Sequence, residues 1–499
     1  MKRTWRDYLL PAALLLALML PLRHGFTDDG FIHVQYARNV MTRGEYSFNA
    51  GETSFGTTSP LWVIALAAAA RPFGTDDAFV DASRVLSWMC AFAALVAIQR
   101  LLVALGASRR VALLGALAFA ADAWFVRWSA LAMESSLAAF AAIVMLIASV
   151  RAYDDRYGAV RFGAAAALGA LVRPEMYLAL PVFVAGALTV RPRPSRGWVV
   201  AGLATAAALL APWLLFAKWH IGSFLPNTAG AKSGGFVTDP ILFVAKLVPV
   251  AKIVVGAQAV ALLAVLLDLA VSRRRAFVLG RSFRFALLWM VALPLAYVAF
   301  DIQVLSRYLL LITPAVCAGG WRSLESLGSR MSPRGATRAL AAAGVIAIAT
   351  NVVFYTRVVL PPSRAFSEDL MTPLADLARY LRGHSEPDAV VAAADIGYLA
   401  FYSHRRVLDL GGLVEPETAR LREAHDYEEI VAEGLYFDTR GYPHVDYLVD
   451  REHVADRFDG RVIHGHRFER IYTTAVRNLG IRKPGTFYYT LYRVTPAAP

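Results

Sequence analysis

The sequence predicts a polytopic α-helical membrane protein that carries a soluble α/β domain at its C-terminal end. Three observations lead there. Of 499 residues, 57% are hydrophobic, the mean hydropathy is +0.47, and several apolar runs are long enough to cross a bilayer. The net charge of +13 comes from Arg and Lys residues clustered between those runs, a pattern of membrane topology that needs no nucleic-acid partner. Past Leu360 the charge density becomes ordinary and no further apolar run follows.

At the N-terminus, Lys2, Arg3 and Arg6 precede the apolar stretch from Tyr8 to Leu22. Pro21-Leu22-Arg23-His24 lacks a small-residue cleavage site, so this stretch reads as a retained anchor. Apolar runs follow at 61–70, 85–105, 111–126, 129–150, 162–172, 176–190, 198–217, 241–271, 285–300, 308–321 and 338–360. The run at 61–70 is about half of the roughly 20 residues that a crossing helix needs. If it lies along the outer interface with Trp62 as an anchor, every basic cluster falls on one side, from the N-terminus through Arg109-Arg110 and Arg273-Arg274-Arg275 to Arg322–Arg338. That arrangement satisfies the positive-inside rule, leaves about 11 transmembrane helices and puts the N-terminus in the cytoplasm. Residues 162–190 are too few for two full spans, so two short helices are predicted to meet at Arg173-Pro174-Glu175. Charges at that depth are tolerated only where they line a protein or water cavity.

The predicted division is a membrane domain over 1–360, with a first outer loop at 23–84, and an outer α/β domain over 361–499. Pro361-Pro362-Ser363 opens the latter, Pro373 to Arg382 reads as an amphipathic helix, and strands are predicted at Val390–Ala394, Arg406–Leu410, Tyr447–Val449 and Phe487–Val494. The two cysteines, Cys90 and Cys317, both lie in apolar runs and supply neither a disulfide framework nor a zinc cluster.

The chemistry concentrates early, in Thr27-Asp28-Asp29-Gly30-Phe31-Ile32-His33. Adjacent carboxylates beside a bilayer are costly unless they stay wet, pair with cations or do chemistry; a helix cap is the plainer alternative. No Walker loop, Cys/His metal spacing or Gly-x-Ser-x-Gly elbow is present, and Asp395-Ile396-Gly397 is only a fragment of a phosphate loop. What remains is a carboxylate pair and a set of outer-side cations in a membrane protein. An enzyme using a lipid-phosphate donor needs this set: a base for the acceptor hydroxyl and cations for the departing phosphate.

Asp28-Asp29-Gly30-Phe31-Ile32, Tyr36-Ala37-Arg38-Asn39, Phe48-Asn49-Ala50-Gly51-Glu52 and Thr58-Ser59-Pro60-Leu61-Trp62 resemble the first outer loop of bacterial GT-C glycosyltransferases. The match is closest to the group with the mycobacterial terminal arabinofuranosyltransferases. It continues through Met133-Glu134-Ser135, Arg173-Pro174-Glu175, Leu225-Pro226-Asn227-Thr228 with Ala231-Lys232, Arg307-Tyr308-Leu309 and Asp395-Ile396-Gly397. Each motif is weak, and their shared order over nearly the whole chain carries the resemblance. It implies an inverting membrane transferase that uses a polyprenyl-phosphate sugar, with an outer-loop Asp near the catalytic centre. His33, Gln35 and Ala229-Gly230 depart from the pattern at positions that touch sugar selectivity, so the arabinose preference does not carry over.

On this reading Asp28 is the general base and Asp29 orients it or contacts the acceptor. Arg38, Arg173, Lys232 and Arg307 are candidates for the donor phosphate. His33, Glu134, Glu175 and Asn227 are candidates for sugar or acceptor hydroxyls, with a structural Arg173–Glu175 ion pair as the alternative. No metal and no other cofactor is expected, a divalent ion at the two aspartates being the alternative. The expected partners are a polyprenyl-phosphate sugar donor, a cell-envelope glycan or glycolipid acceptor and the lipid bilayer. The expected location is the bacterial inner membrane, with the acidic loop and C-terminal domain on the periplasmic side. A lipid-linked-sugar flippase, and a ligase or polymerase of preassembled glycans, are the rival functions. Transport is the poorer match, since no repeated halves are visible.

Overall fold

The computed structural model describes residues 5–224, 226, 235–439, 444–478 and 484–497. In chain order the helices are α1 (Arg6–Met19), α2 (Asp28–Arg43), α3 (Pro60–Ala70), α4 (Asp76–Ala104), α5 (Arg109–Ala120), α6 (Ala123–Ala130), α7 (Ser135–Val150), α8 (Gly158–Ala170), α9 (Ala179–Thr189), α10 (Arg196–Phe216), α11 (Pro240–Ser272), α12 (Arg284–Ala299), α13 (Thr313–Gly328) and α14 (Pro333–Phe354). After them come α15 (Leu360–His384), β1 (Val390–Ala393), α16 (Gly397–Ser403), β2 (Arg406–Asp409), α17 (Pro416–Ala424), α18 (Tyr427–Ala432), β3 (Tyr447–Glu452), β4 (Val462–Ile463), β5 (His466–Asn478) and β6 (Pro484–Pro496).

Among the described residues six helices are long and apolar enough to cross a membrane, or seven if the bent pair α5 and α6, at 58° to each other, is one span. The predicted count of about eleven is not reached on length and apolarity alone, because α1, α8 and α9 are shorter apolar helices. The predicted hairpin is present: α8 and α9 are joined through an extended Arg173 and a 3₁₀ turn at Pro174–Leu178. α3 has 11 residues, about 16 Å of helix against the roughly 30 Å of a hydrocarbon core. Its Trp62 is no interfacial anchor, being 1% exposed, while Ile64 faces out at 52%. An indole anchors a helix at an interface only from an outward-facing position, and the helical register turns Trp62 inward.

The chain divides into two compact units. One comprises Met1–Arg23, Arg84–Trp213 and Ser233–Leu360. Here a kink in α11 at Gln258 (φ −121°, ψ 21°) is compensated by side chains. The Gln258 amide donates to Asp122 Oδ2 at 2.6 Å, and Asn351 Nδ2 donates to the Ala257 carbonyl at 2.8 Å. Asp122 also caps α6 by accepting from the backbone of Trp124 and Phe125. Polar side chains at this depth persist because each finds such a partner.

The other unit comprises His24–Ser83, Leu214–Lys232 and Pro361–Pro499. Its six-stranded sheet has the order β2-β1-β3-β6-β5-β4. β1 pairs parallel with β2 and β3, and the remaining ladders are antiparallel. Leu408, Leu448, Phe468 and Tyr492 are buried in the core beside it. The four predicted strands are present, and β4 and β5 are additions that sequence reading did not find. In β5, Arg467, Glu469 and Arg470 dilute the apolar signal, and a register shift between Arg470 and Tyr472 breaks the two-residue period. Pro361 and Pro362 follow directly on a π-helical turn at Tyr355–Val359, and the amphipathic helix predicted from Pro373 begins at Leu360 instead.

Candidate functional site

In the sheet-containing unit the acidic stretch begins α2. Thr27 supplies the cap, its Oγ1 accepting from the Gly30 N–H at 3.1 Å, and Gly44 closes the helix in the left-handed region at φ 70°. Asp28 is therefore not needed to cap its own helix and serves another. Its Oδ2 accepts from the Gly397 N–H at 3.0 Å and its Oδ1 from the Tyr398 N–H at 2.8 Å, at the start of α16. Burial, and then the negative charge of Asp395, push the Asp28 carboxyl up to about 7 despite these two bonds. Asp29, the next residue round the helix, is partly exposed.

Asp395-Ile396-Gly397 is thus a docking point. A Cβ on Gly397 would stand 2.1 Å from the Asp28 carbonyl oxygen, so only glycine allows the approach. Asp395 Oδ2 accepts from Arg451 Nη1 at 2.6 Å and from the Tyr489 hydroxyl.

The remaining first-loop motifs build the scaffold. His33 Nδ1 lies 2.6 Å from Thr57 Oγ1. Gln35 donates to the Phe48 carbonyl at 2.8 Å, and Asn39 to those of Ser47 and Phe48 at 3.0 and 2.9 Å. Asn49 exchanges two 3.0 Å bonds with the Val407 backbone. Arg38 is buried, donating to the Phe401 carbonyl at 2.7 Å and to Gln35 Oε1 at 2.6 Å while pairing with Asp76 at 3.3 Å.

The helical unit carries a cluster of its own. Arg173, at the hairpin tip, donates to Glu134 at 2.7 Å and to Glu175 at 2.9 Å, with its guanidinium 4.8 Å from the Tyr308 ring centroid. Arg307 donates to Met133 Sδ at 3.4 Å and lies 5.3 Å from the Trp128 ring and 5.4 Å from that of Tyr308. Arg127 lies 4.7 Å from the same Trp128 ring, so one indole holds two cations. Arg307 is close enough to Arg127 and Arg173 to repel both. The structure therefore gathers Arg173, Arg307, Glu134 and Glu175, with Arg127 beside them. Arg127 follows the apolar run 111–126, where a cation is ordinarily a snorkelling one, and nothing in its sequence neighbours shows that it shares Trp128 with Arg307. Asn227 and Lys232 lie outside the described residues. Among the described residues no three His, Cys, Asp or Glu side chains are grouped to ligate a metal ion.

Comparison with known proteins bears on the fold. ArnT from Cupriavidus metallidurans, bound to undecaprenyl phosphate, superposes with a TM-score of 0.60 over 98% of this chain and 99% of its own, at 12% identity. The fold is that of the GT-C glycosyltransferases. Two further GT-C structures agree. The archaeal oligosaccharyltransferase AglB from Archaeoglobus fulgidus, in complex with an inhibitory peptide and a dolichol-phosphate, gives 0.53 over 89% of this chain and 70% of its own, at 12% identity. The arabinofuranosyltransferase AftD from Mycobacteria gives 0.53 over 98% of this chain, at 17% identity, and this chain spans 42% of AftD. A family described as Domain of unknown function (DUF8728) matches residues 364–492. Comparison with curated proteins finds no match.

Proposed function

We propose that this protein is an inner-membrane glycosyltransferase that moves a sugar from a polyprenyl-phosphate donor to a cell-envelope glycan or glycolipid, with inversion. The observation that carries the reading is a GT-C fold that has an acidic pair at the start of its first loop helix and an arginine cluster on aromatic faces. A carboxylate of the Asp28–Asp29 pair takes the acceptor hydroxyl proton. The oxygen attacks the anomeric carbon from the side opposite the phosphate, the bond to the phosphate oxygen breaks, and polyprenyl phosphate leaves with the electron pair. Cations stabilise the charge that accumulates there. ArnT and AglB hold undecaprenyl phosphate and dolichol-phosphate respectively, which supports a donor of that class. Arg307 and Arg127, with Lys232, are assigned to the phosphate. Arg173 is already bonded to two carboxylates and sets the hairpin, while Glu134, Glu175, His33 and Asn227 are assigned to the sugar and acceptor side. No resident metal or other cofactor enters the proposed step.

The deciding experiment is reconstitution of the full chain in nanodiscs with radiolabelled polyprenyl-phosphate pentoses and hexoses. Release of sugar from at least one lipid supports the reading; consumption of none overturns it. Arg307→Ala and Arg127→Ala are each expected to weaken donor binding about ten- to hundredfold, the loss of one charge-assisted hydrogen bond of roughly 1.5–3 kcal/mol. Lysine at position 307 should restore only part, since a point charge lacks the guanidinium fork.

The proposed topology has about eleven crossings, with α3 and α2 outside the bilayer and the N-terminus cytoplasmic. In a background lacking Cys90 and Cys317, a cysteine at Ser272 is expected to resist a membrane-impermeant thiol reagent in intact cells and one at Ser385 to react. The reverse pattern overturns the orientation.

A further inference from the structure

Asp28, Phe31 and Arg38 of α2 meet α16; they are spaced i, i+3 and i+10, which is one stripe of a helix. Asp28 accepts from the first two N–H groups of α16. The Phe31 ring packs on Tyr398, Phe401 and Tyr402 at centroid separations of 4.6, 5.6 and 5.5 Å. Arg38 donates to the Phe401 carbonyl near the other end of α16. An anion at the start and a cation at the end match the polarity of the α16 dipole. Gly397 is confined by the Asp28 backbone itself. The α16 partners of this stripe all fall within residues 364–492, the segment that matches the domain of unknown function.

We infer that the matched C-terminal segment clasps the acidic helix through α16, with Asp28 and Arg38 as its positioning residues, and that Asp29 is the carboxylate that meets the acceptor hydroxyl. The inference rests on the glycosyltransfer reading for the role of Asp29, and on the hydrogen bonds alone for the clasp. Both Asp28 oxygens already accept backbone N–H bonds. Adjacent helical positions are about 100° apart, so a helix that turns Asp28 into α16 turns Asp29 away from it, and Asp29 is the more exposed of the two. The sequence expectation put the base at Asp28; the clasp reverses that assignment. It also gives the C-terminal segment a task in the reaction, holding the base at a fixed place.

The test uses the full chain in nanodiscs, with release of radiolabelled sugar from polyprenyl-phosphate pentoses and hexoses as one readout and amide hydrogen exchange as the other. Asp29→Ala is expected to lower kcat by about 10²–10⁴, to keep wild-type exchange at Gly397 and Tyr398, and to regain activity when sodium formate supplies a carboxylate. Asp28→Ala and Gly397→Ala are expected to lose protection at 397–398 and across 28–43, to lower kcat, and to gain nothing from formate. Formate rescue of Asp28→Ala in place of Asp29→Ala overturns the division of roles while leaving glycosyltransfer standing. Wild-type protein that consumes none of the donors overturns glycosyltransfer and the role of Asp29 with it, and the clasp is then judged by exchange alone. Unchanged exchange at 397–398 in Asp28→Ala overturns the clasp in either case.

Discussion

Arg173→Ala is expected to destabilise the helical unit by about 3–5 kcal/mol, the usual consequence of removing one partner from a buried ion pair. The side chains of Arg173 and Glu134 are 6% and 1% exposed and sit 2.7 Å apart, with Glu175 at 2.9 Å on the other side. Without the guanidinium, Glu134 and Glu175 lose the one cation they share, and an uncompensated charge on the buried Glu134 is costly. The triple change Arg173→Met with Glu134→Gln and Glu175→Gln removes every charge and is expected to recover much of the loss. The melting temperature of the three proteins in the same nanodiscs measures this. Arg173→Ala melting with wild type would show that water reaches the hairpin tip. Donor affinity measured on the same samples separates structure from binding: Arg173→Ala is expected to shift it less than Arg307→Ala does, because two of Arg173's donors and its charge are already engaged by carboxylates.

The hydropathy pattern made the membrane helices legible because burial in lipid demands long apolar runs whatever their neighbours are. It also caught α3 as a helix of about half a crossing's length, and the two short helices at Arg173-Pro174-Glu175. What stayed hidden depends on contacts between residues far apart in sequence. Asp395-Ile396-Gly397 looked like a spare piece of a phosphate loop. Its meaning is that Gly397 lets the Asp28 backbone come close, a pairing across 369 positions that no local pattern encodes. Arg38 and Asn39 could be singled out as a motif, but only the fold reveals that their donors end on backbone carbonyls of Phe401, Ser47 and Phe48. Arg127 gives no sign of a role in the sequence for the converse reason. A cation at the end of an apolar run is ordinarily a snorkelling one, and its sharing of Trp128 with Arg307 appears only when the helices are packed.

The protein carrying both Asp28→Asn and Asp29→Asn is expected to transfer sugar at least about 10²–10⁴ times more slowly than wild type, because no carboxylate of the pair remains to take the acceptor proton. Donor affinity is expected to change little, since the phosphate is assigned to arginines in a separate cluster. Some stability should go as well. The amide that Asp28→Asn introduces can accept from one backbone N–H of α16, but it presents its own N–H₂ to the other, and losing a cap of this kind typically costs about 1 kcal/mol. That loss is small beside the effect on rate, so the two are separable. Turnover, donor affinity and melting temperature on one preparation suffice. A folded double variant that binds donor and turns over within a few-fold of wild type removes the acidic pair from the chemistry and leaves it only as the seat of α16. A variant that binds donor, melts slightly early and does not turn over places the proton transfer at this pair.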